Sequence, residues 1–232
     1  MIQKTKPATV IDQVEDFRSE RVRLIKDSLQ PVSLSEGAKI VLHLVPASAF
    51  EQTIFDLASK RAEGDDLKPI AVGGWGPLRF NFDGMIMVSE ARESTESYVQ
   101  VFHNGIVEAV NANYLRRWDE KNFIPATGLE NALIEATSNY VKFQRSLGVT
   151  PPLFVMLSLL GVKRFRLIAN ENYGYADGRE IDREDLLIPA VEQKSLDIQT
   201  EKLLQPIFDR MWNAAGFARS VNYDDSGERK HK

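Results

Sequence analysis

Histidine is scarce in this chain and cysteine is absent: only His43, His103 and His231 occur. Disulfides, thiolate metal ligation and a cysteine nucleophile are therefore excluded, and no His-x-x-x-His pair points to zinc. His43 stands inside an apolar run and reads as a core histidine, while His103 stands beside a turn. The densest polar and aromatic alternation is Arg79-Phe-Asn-Phe-Asp83-Gly84. On a strand, Arg79, Asn81 and Asp83 share one face, and Phe80 and Phe82 share the other. That pattern is either a convergent polar face, as a small-ligand site requires, or a solvent face over a phenylalanine core. Trp75, Arg79, Asn81, Asp83 and His103 are the candidate ligand-binding residues. The glycines around Trp75 lack the Lys-Ser/Thr of a phosphate loop, and no Gly-x-Ser-x-Gly is present. An enzymatic alternative is a metal-dependent nuclease or phosphohydrolase using carboxylates such as Asp83, Asp182 and Glu192. A third reading places nucleic acid on Arg18, Arg21, Arg23 and Lys26, although Asp12, Glu15, Asp16 and Glu20 offer those cations partners on a solvated helix face. No catalytic residue, resident metal or cofactor is assigned.

The elements that must position these residues follow from periodicity. Ile11, Val14, Phe17, Val22 and Ile25 recur at helical spacing, and Pro31 ends that segment. Lys39–Pro46 reads as a buried strand. Ser48-Ala-Phe-Glu51 has the form of a capping box and predicts a helix to about Lys60. Leu78 to Glu90 reads as one strand with a bulge at Gly84. Ser97–Phe102 and Ile106–Val110 flank His103-Asn104-Gly105, a hairpin signal. A helix is predicted over Leu129–Leu147, closed by Gly148. Leu153–Leu160 is apolar enough for a fully buried strand, with Phe165–Ala169 pairing back on it. A loop over 170–182, a last strand over 186–193 and a closing helix over 203–215 complete the pattern. The fold class is α+β: about six or seven mostly antiparallel strands, helices covering one face, compatible with a GAF-like sensor sheet.

The chain has 232 residues, 43% hydrophobic and 27% charged, with a net charge of −4. This is an ordinary globular composition, and the mild acidity disfavours broad nucleic-acid binding. The expected organisation is an N-terminal helical arm over 1–30, one α+β domain over 31–223 and a disordered tail over 224–232. No apolar run reaches the roughly 20 residues of a membrane helix, and the first residues lack a signal-peptide core. A cytoplasmic protein without membrane contact is expected. The unpartnered arm suggests a homo-oligomer.

Six segments carry a family resemblance: Phe17–Ile25, Lys39–Phe50, Arg79–Gly84, Ser97–Glu108, Pro152–Val162 and Phe208–Gly216. In that order they resemble the C-terminal region that follows the Schlafen-type, Alba-like DNA-binding domain of bacterial proteins described as ATP-binding or transcriptional regulators. The resemblance runs from about residue 15 to 224. It implies that the first segment is an exit helix, and that the Alba-like domain is missing from this chain. His103 stands where the resemblance leads one to expect arginine. What the resemblance implies is a regulatory sensor or interaction module of a bacterial regulatory or phage-defence system, taking a small ligand or a partner protein.

Overall fold

The computed structural model describes residues 8–90, 95–115, 117–118, 121–168, 178–197 and 199–230. Helix α1 (Val10–Lys26) starts at a reciprocal capping box, in which Thr9 and Asp12 satisfy each other's backbone N–H groups. Strand β1 (Lys39–Pro46) follows, then β2 (Arg79–Asn81), β3 (Gly84–Glu90), β4 (Thr95–Phe102) and β5 (Val107–Asn111). Next come β6 (Arg117–Trp118), β7 (Lys121–Pro125), α2 (Ala126–Leu147), β8 (Leu153–Leu160) and β9 (Arg166–Ile168). Strands β10 (Leu186–Leu187) and β11 (Val191–Gln193) precede α3 (Thr200–Ala214). The main sheet has eight strands in the order β10-β8-β1-β5-β4-β3-β2, with β11 also on β8. Every pairing in it is antiparallel. A second, three-stranded sheet runs β6-β7-β9. The fold is thus α+β with a mostly antiparallel sheet.

Strand alternation divides the core in two. Leu42, Leu44, Val99, Val101, Val155 and Leu157 face α2 and α3, whose Leu133, Tyr140, Phe208 and Trp212 complete the largest cluster. The opposite face carries Val41, Val110, Tyr98 and Leu160, covered by Val22 and Ile25 of α1. Val14 of α1 packs there with Val45, Phe154 and Met156. Helices therefore cover both faces, not one, and the expected arm is a packed layer on its own sheet.

Four local expectations change for physical reasons. After β1 the chain makes a 3-10 turn over Ala47–Phe50 and, after an extended break, a 3-10 helix over Leu57–Asp66, in place of one α-helix. Ser48 Oγ is buried with no partner among the described residues, and the N–H of Phe55 goes to the carbonyl of His103 instead of a helix. The Leu78–Glu90 stretch is a hairpin, because Asn81 Oδ1 accepts the N–H groups of Asp83 and Gly84 and closes a turn there. Phe82, at its tip, is 96% exposed, and Phe80 is 46% exposed, so no phenylalanine core lies beneath it. Strand β9 does not return to β8, whose outer side is taken by β10 and β11; it pairs in parallel with β7. The 170–182 loop lies outside the described residues through 177.

The C-terminal segment is also ordered against α2. The fully buried carboxylate of Glu130 accepts from Trp212 Nε1 at 2.7 Å, Ser220 Oγ at 2.8 Å, Asn222 Nδ2 at 2.9 Å and Arg229 Nη1 at 2.8 Å. Four donors hold a charge that would otherwise be costly to bury. In place of a disordered tail from Asp224, residues up to 230 fold back, with Arg229 lying 5.4 Å from the ring of Tyr223.

Gly84 has a positive φ of 146°, and a Cβ there would stand 2.1 Å from the carbonyl oxygen of Val101. Gly84→Ala is expected to destabilise the fold by on the order of 3 kcal/mol. Gly74→Ala, whose Cβ would meet nothing within 4 Å, should change stability by less than about 0.5 kcal/mol. Urea denaturation of both variants checks the contrast.

Candidate functional site

The candidate ligand residues named from the sequence fall into two places. Asn81, Asp83 and His103 meet where the β2–β3 and β4–β5 turns adjoin: the N–H of His103 donates to the carbonyl of Asp83 at 3.1 Å. Asn81 is occupied with the turn and with Gln100, to whose Oε1 it donates at 2.7 Å. Arg79 lies opposite Ile86 on the edge strand. Trp75 lies elsewhere, in the wall of a cleft. The acids of the enzymatic alternative are dispersed as well. Glu192 is on β11 at one edge of the main sheet and Asp83 beside β2 at the other, about 20 Å or more apart by strand spacing. Among the described residues no three His, Asp or Glu side chains gather in a metal-holding group.

The basic run of α1 is turned inward or paired. Arg18 donates to the carbonyl of Ile188 at 2.6 Å and is ion-paired with Glu15. Arg23 pairs with Glu20 and Asp27, and Lys26 with Asp185. Arg21 reaches Glu108 of β5 through Nε at 2.7 Å and Nη2 at 2.8 Å, a bidentate pair. Arg18 and Arg21 are thus turned into the fold, while Arg23 and Lys26 remain about half exposed with carboxylate partners.

Glu108 is the centre of a polar row on the α1 face of the sheet. The register sets His43 opposite Glu108 on β1 and Gln100 opposite it on β4. His43 Nε2 lies 3.0 Å from Glu108 Oε2, and the Tyr98 hydroxyl donates to Oε1 at 2.7 Å. Burial alone would raise the Glu108 carboxyl; hydrogen bonds from Arg21 and His43 outweigh it and hold the group at about 2. Burial, reinforced by the Glu108 charge, pushes the Tyr98 phenol up and keeps it a donor. His43 is thus a core histidine, as its apolar surroundings suggest, but its partner is a carboxylate. Its Nδ1 has no partner among the described residues, and the ring of Phe17 meets it edge-on at 5.4 Å. The row is buried beneath α1: His43, Tyr98, Gln100 and Glu108 are all at most 1% exposed.

An accessible concavity lies where β4 begins and β5 ends. One lobe of about 500 Å³ is walled by Ala71, Val72 and Gly73 on one side and by Phe123, Pro125 and Ile168 on the other, with Glu96, Asn111, Asn113 and Tyr114 at its polar end. A second lobe shares Ala71, Val72 and Tyr114 and continues to Lys68, Trp75 and Asn139. The first wall is built by pinning an irregular segment. Leu67 and Ile70 are buried in the core. Asn111 Nδ2 donates to the carbonyl of Ile70 at 2.7 Å, and the Tyr140 hydroxyl donates to that of Lys68 at 2.6 Å. Burial raises the Tyr140 phenol and preserves that donor. Ala71 takes a φ of +54°, which an alanine seldom adopts. The Asn111 Oδ1 also accepts from the N–H groups of Asn113 and Tyr114 at 2.9 Å and 2.7 Å, turning the chain after β5. Lys68 Nζ sits 5.2 Å from the ring of Trp75. The opposite wall comes from the parallel pairing of β7 and β9, which sets Pro125 beside Ile168.

Of the five candidate ligand residues, Trp75 lines this cleft. Glu96, Asn113, Tyr114 and Phe123 do, and were not singled out. The available signal was Asn111-Ala-Asn113, a pair of turn-forming side chains at the end of a strand.

The Glu108 row generates an acid-sensitivity prediction. A carboxyl held below its ordinary value of 4.5 contributes stability that is complete above that pH and lost as pH falls towards about 2. Arg21→Ala, which leaves Glu108 buried without its bidentate partner, is expected to cost about 3–5 kcal/mol near neutral pH. The gap between this variant and the natural chain should narrow below pH 4.5, read by denaturant unfolding across pH. Comparison with family models, with curated proteins and with solved structures gives no match.

Proposed function

We propose that the chain is a regulatory sensor or interaction module whose small ligand binds in the two-lobed cleft. The observation that carries this reading is the cleft itself: a lobe of about 500 Å³, apolar on two walls, with a few polar groups converging at one end. That size and that mixture are the usual character of small-molecule sites. The wall is anchored at its start, because Asn111 and Tyr140 hold the carbonyls of Ile70 and Lys68. The regulatory setting, in a bacterial cytoplasm and in a control or phage-defence system, is drawn from the Schlafen-associated resemblance of the sequence. In such a module, occupancy of the cleft would be relayed through the β4–β5 ends to a partner or a second copy.

Native mass spectrometry of protein purified gently from cells tests the site. A discrete additional mass, released on denaturation, is expected. Val72→Trp, which fills the lobe, should reduce its occupancy to below about a tenth. The double variant Arg79→Ala, Asp83→Ala should retain it. Loss in the double variant with retention in Val72→Trp would return the site to the β2–β3 turn.

A further inference from the structure

Two guanidinium groups of the chain are each held between a buried acid and an aromatic ring. Arg21 lies on the buried carboxylate of Glu108 with its central carbon 5.1 Å from the ring of Phe102. Arg229 lies on the buried carboxylate of Glu130 with its central carbon 5.4 Å from the ring of Tyr223. In both, a desolvated carboxylate accepts from the guanidinium and an aromatic face supplies a second attraction for a flat cation; Arg21 takes both oxygens of Glu108, whereas Arg229 divides its donors between Glu130 Oε2 and the amide oxygen of Asn131.

The cleft presents a related set, with a half-buried carboxylate beside an asparagine amide and aromatic rings. Glu96 is the one charged side chain among the described residues that line the first lobe, and Tyr114 and Phe123 are its aromatic walls. Glu96 is held in place by Asn113, whose Nδ2 donates to Oε1 at 2.9 Å. The second carboxylate oxygen has no hydrogen-bond partner among the described residues. Among the described groups at this end acceptors outnumber donors: the remaining lone pairs of Glu96 and the Asn113 Oδ1 exceed the second N–H of the Asn113 amide, the second N–H of the Asn111 amide and the Tyr114 hydroxyl. An anionic ligand would meet like charge here, and a neutral acceptor-rich ring would leave the carboxylate unsatisfied. A flat group with two adjacent N–H donors and a positive charge matches both the hydrogen-bond count and the charge.

Resting on the reading of the cleft as the ligand site, we propose that the first lobe takes a small planar organic cation of the amidinium or guanidinium class, with Glu96 accepting its N–H groups and Tyr114 and Phe123 flanking its plane. A side chain of the same chemistry on a peptide is the other source of such a group, and the volume of the lobe favours a free small molecule.

The probes are benzamidine, its neutral isostere benzamide, and benzoate, titrated into the full chain while NMR follows the Tyr114 and Phe123 ring resonances. Benzamidine is expected to shift both. Benzamide should bind roughly tenfold to a hundredfold more weakly, and benzoate should not bind. Glu96→Gln keeps the acceptor for Asn113 and replaces the second oxygen with an NH2 group, removing the charge and one acceptor, so it should fold normally and lose the preference for benzamidine over benzamide. Equal binding of the two by the natural chain, or an unchanged preference in Glu96→Gln, overturns the cationic assignment while leaving the cleft as a ligand site. No shift of either ring with any probe at millimolar concentration removes the cleft reading too. An arginine-containing peptide that binds at least tenfold more tightly than methylguanidine would overturn the assignment to a free small molecule.

Discussion

A charge buried in the middle of a sheet has to be answered from above. Glu108 points out of the main sheet on the face away from α2 and α3, and it is fully buried. Neighbours on the sheet supply the Tyr98 hydroxyl and His43, but the bidentate cation comes from α1. The position of α1 is thereby set in rotation as well as in place: Arg21 must face the strand, which directs Val14, Val22 and Ile25 inward at helical spacing. Hydrophobic contact makes that layer stable, and the ion pair makes its register single-valued. Glu130 does the same at the other end of the molecule, tying residues 220–230 to α2. Two buried carboxylates thus hold both chain termini of the described structure against the sheet.

Those two carboxylates also mark where sequence reading succeeds and where it stops. Long periodic elements are plain from the residues: the helix ending at Gly148, with its left-handed φ of 88°, and the strands around Asn104-Gly105 follow from spacing and turn chemistry. The capping box at Ser48 has the right letters, yet the local preference yields to packing, since Leu57 is drawn into the core and Phe55 into a backbone bond with His103. Arg18 to Lys26 look like a solvated basic face because their partners Glu108, Asp185 and Ile188 lie 87, 159 and 170 positions away along the chain. Only an acid placed among Val107, Ala109 and Val110 hinted that one arginine would be called inward.

The cleft was less legible still, because no single element makes it. Its walls come from an irregular segment, from two strand ends and from a small parallel sheet. None of these carries a motif. Ala71 contributes backbone, and Asn111 contributes by bracing two pieces of chain through three hydrogen bonds. A polar residue that serves as scaffold has the same letter as one that touches a ligand, and only the geometry separates them. By contrast the Arg79–Asp83 pattern, conspicuous in the sequence, owes its polarity to a hairpin turn: the Asn81 side chain stands in for a backbone carbonyl.

The two borders of the large sheet are unlike each other. Along β8 the outer side is occupied by β10 and β11, with Pro189 in the gap between them. Proline offers no N–H there, so an approaching strand finds an interrupted ladder. The far border is the three-residue β2, Arg79 to Asn81, which ends at once in a turn, followed by the rest of β3, where the Gly76 N–H already occupies the Val88 carbonyl. An eight-stranded antiparallel sheet with long free borders would recruit further strands from neighbouring molecules and grow into fibres. Here both borders are patched and broken, one by two short strands around a proline and the other by a short strand and a loop contact, so the architecture carries its own protection against runaway self-association.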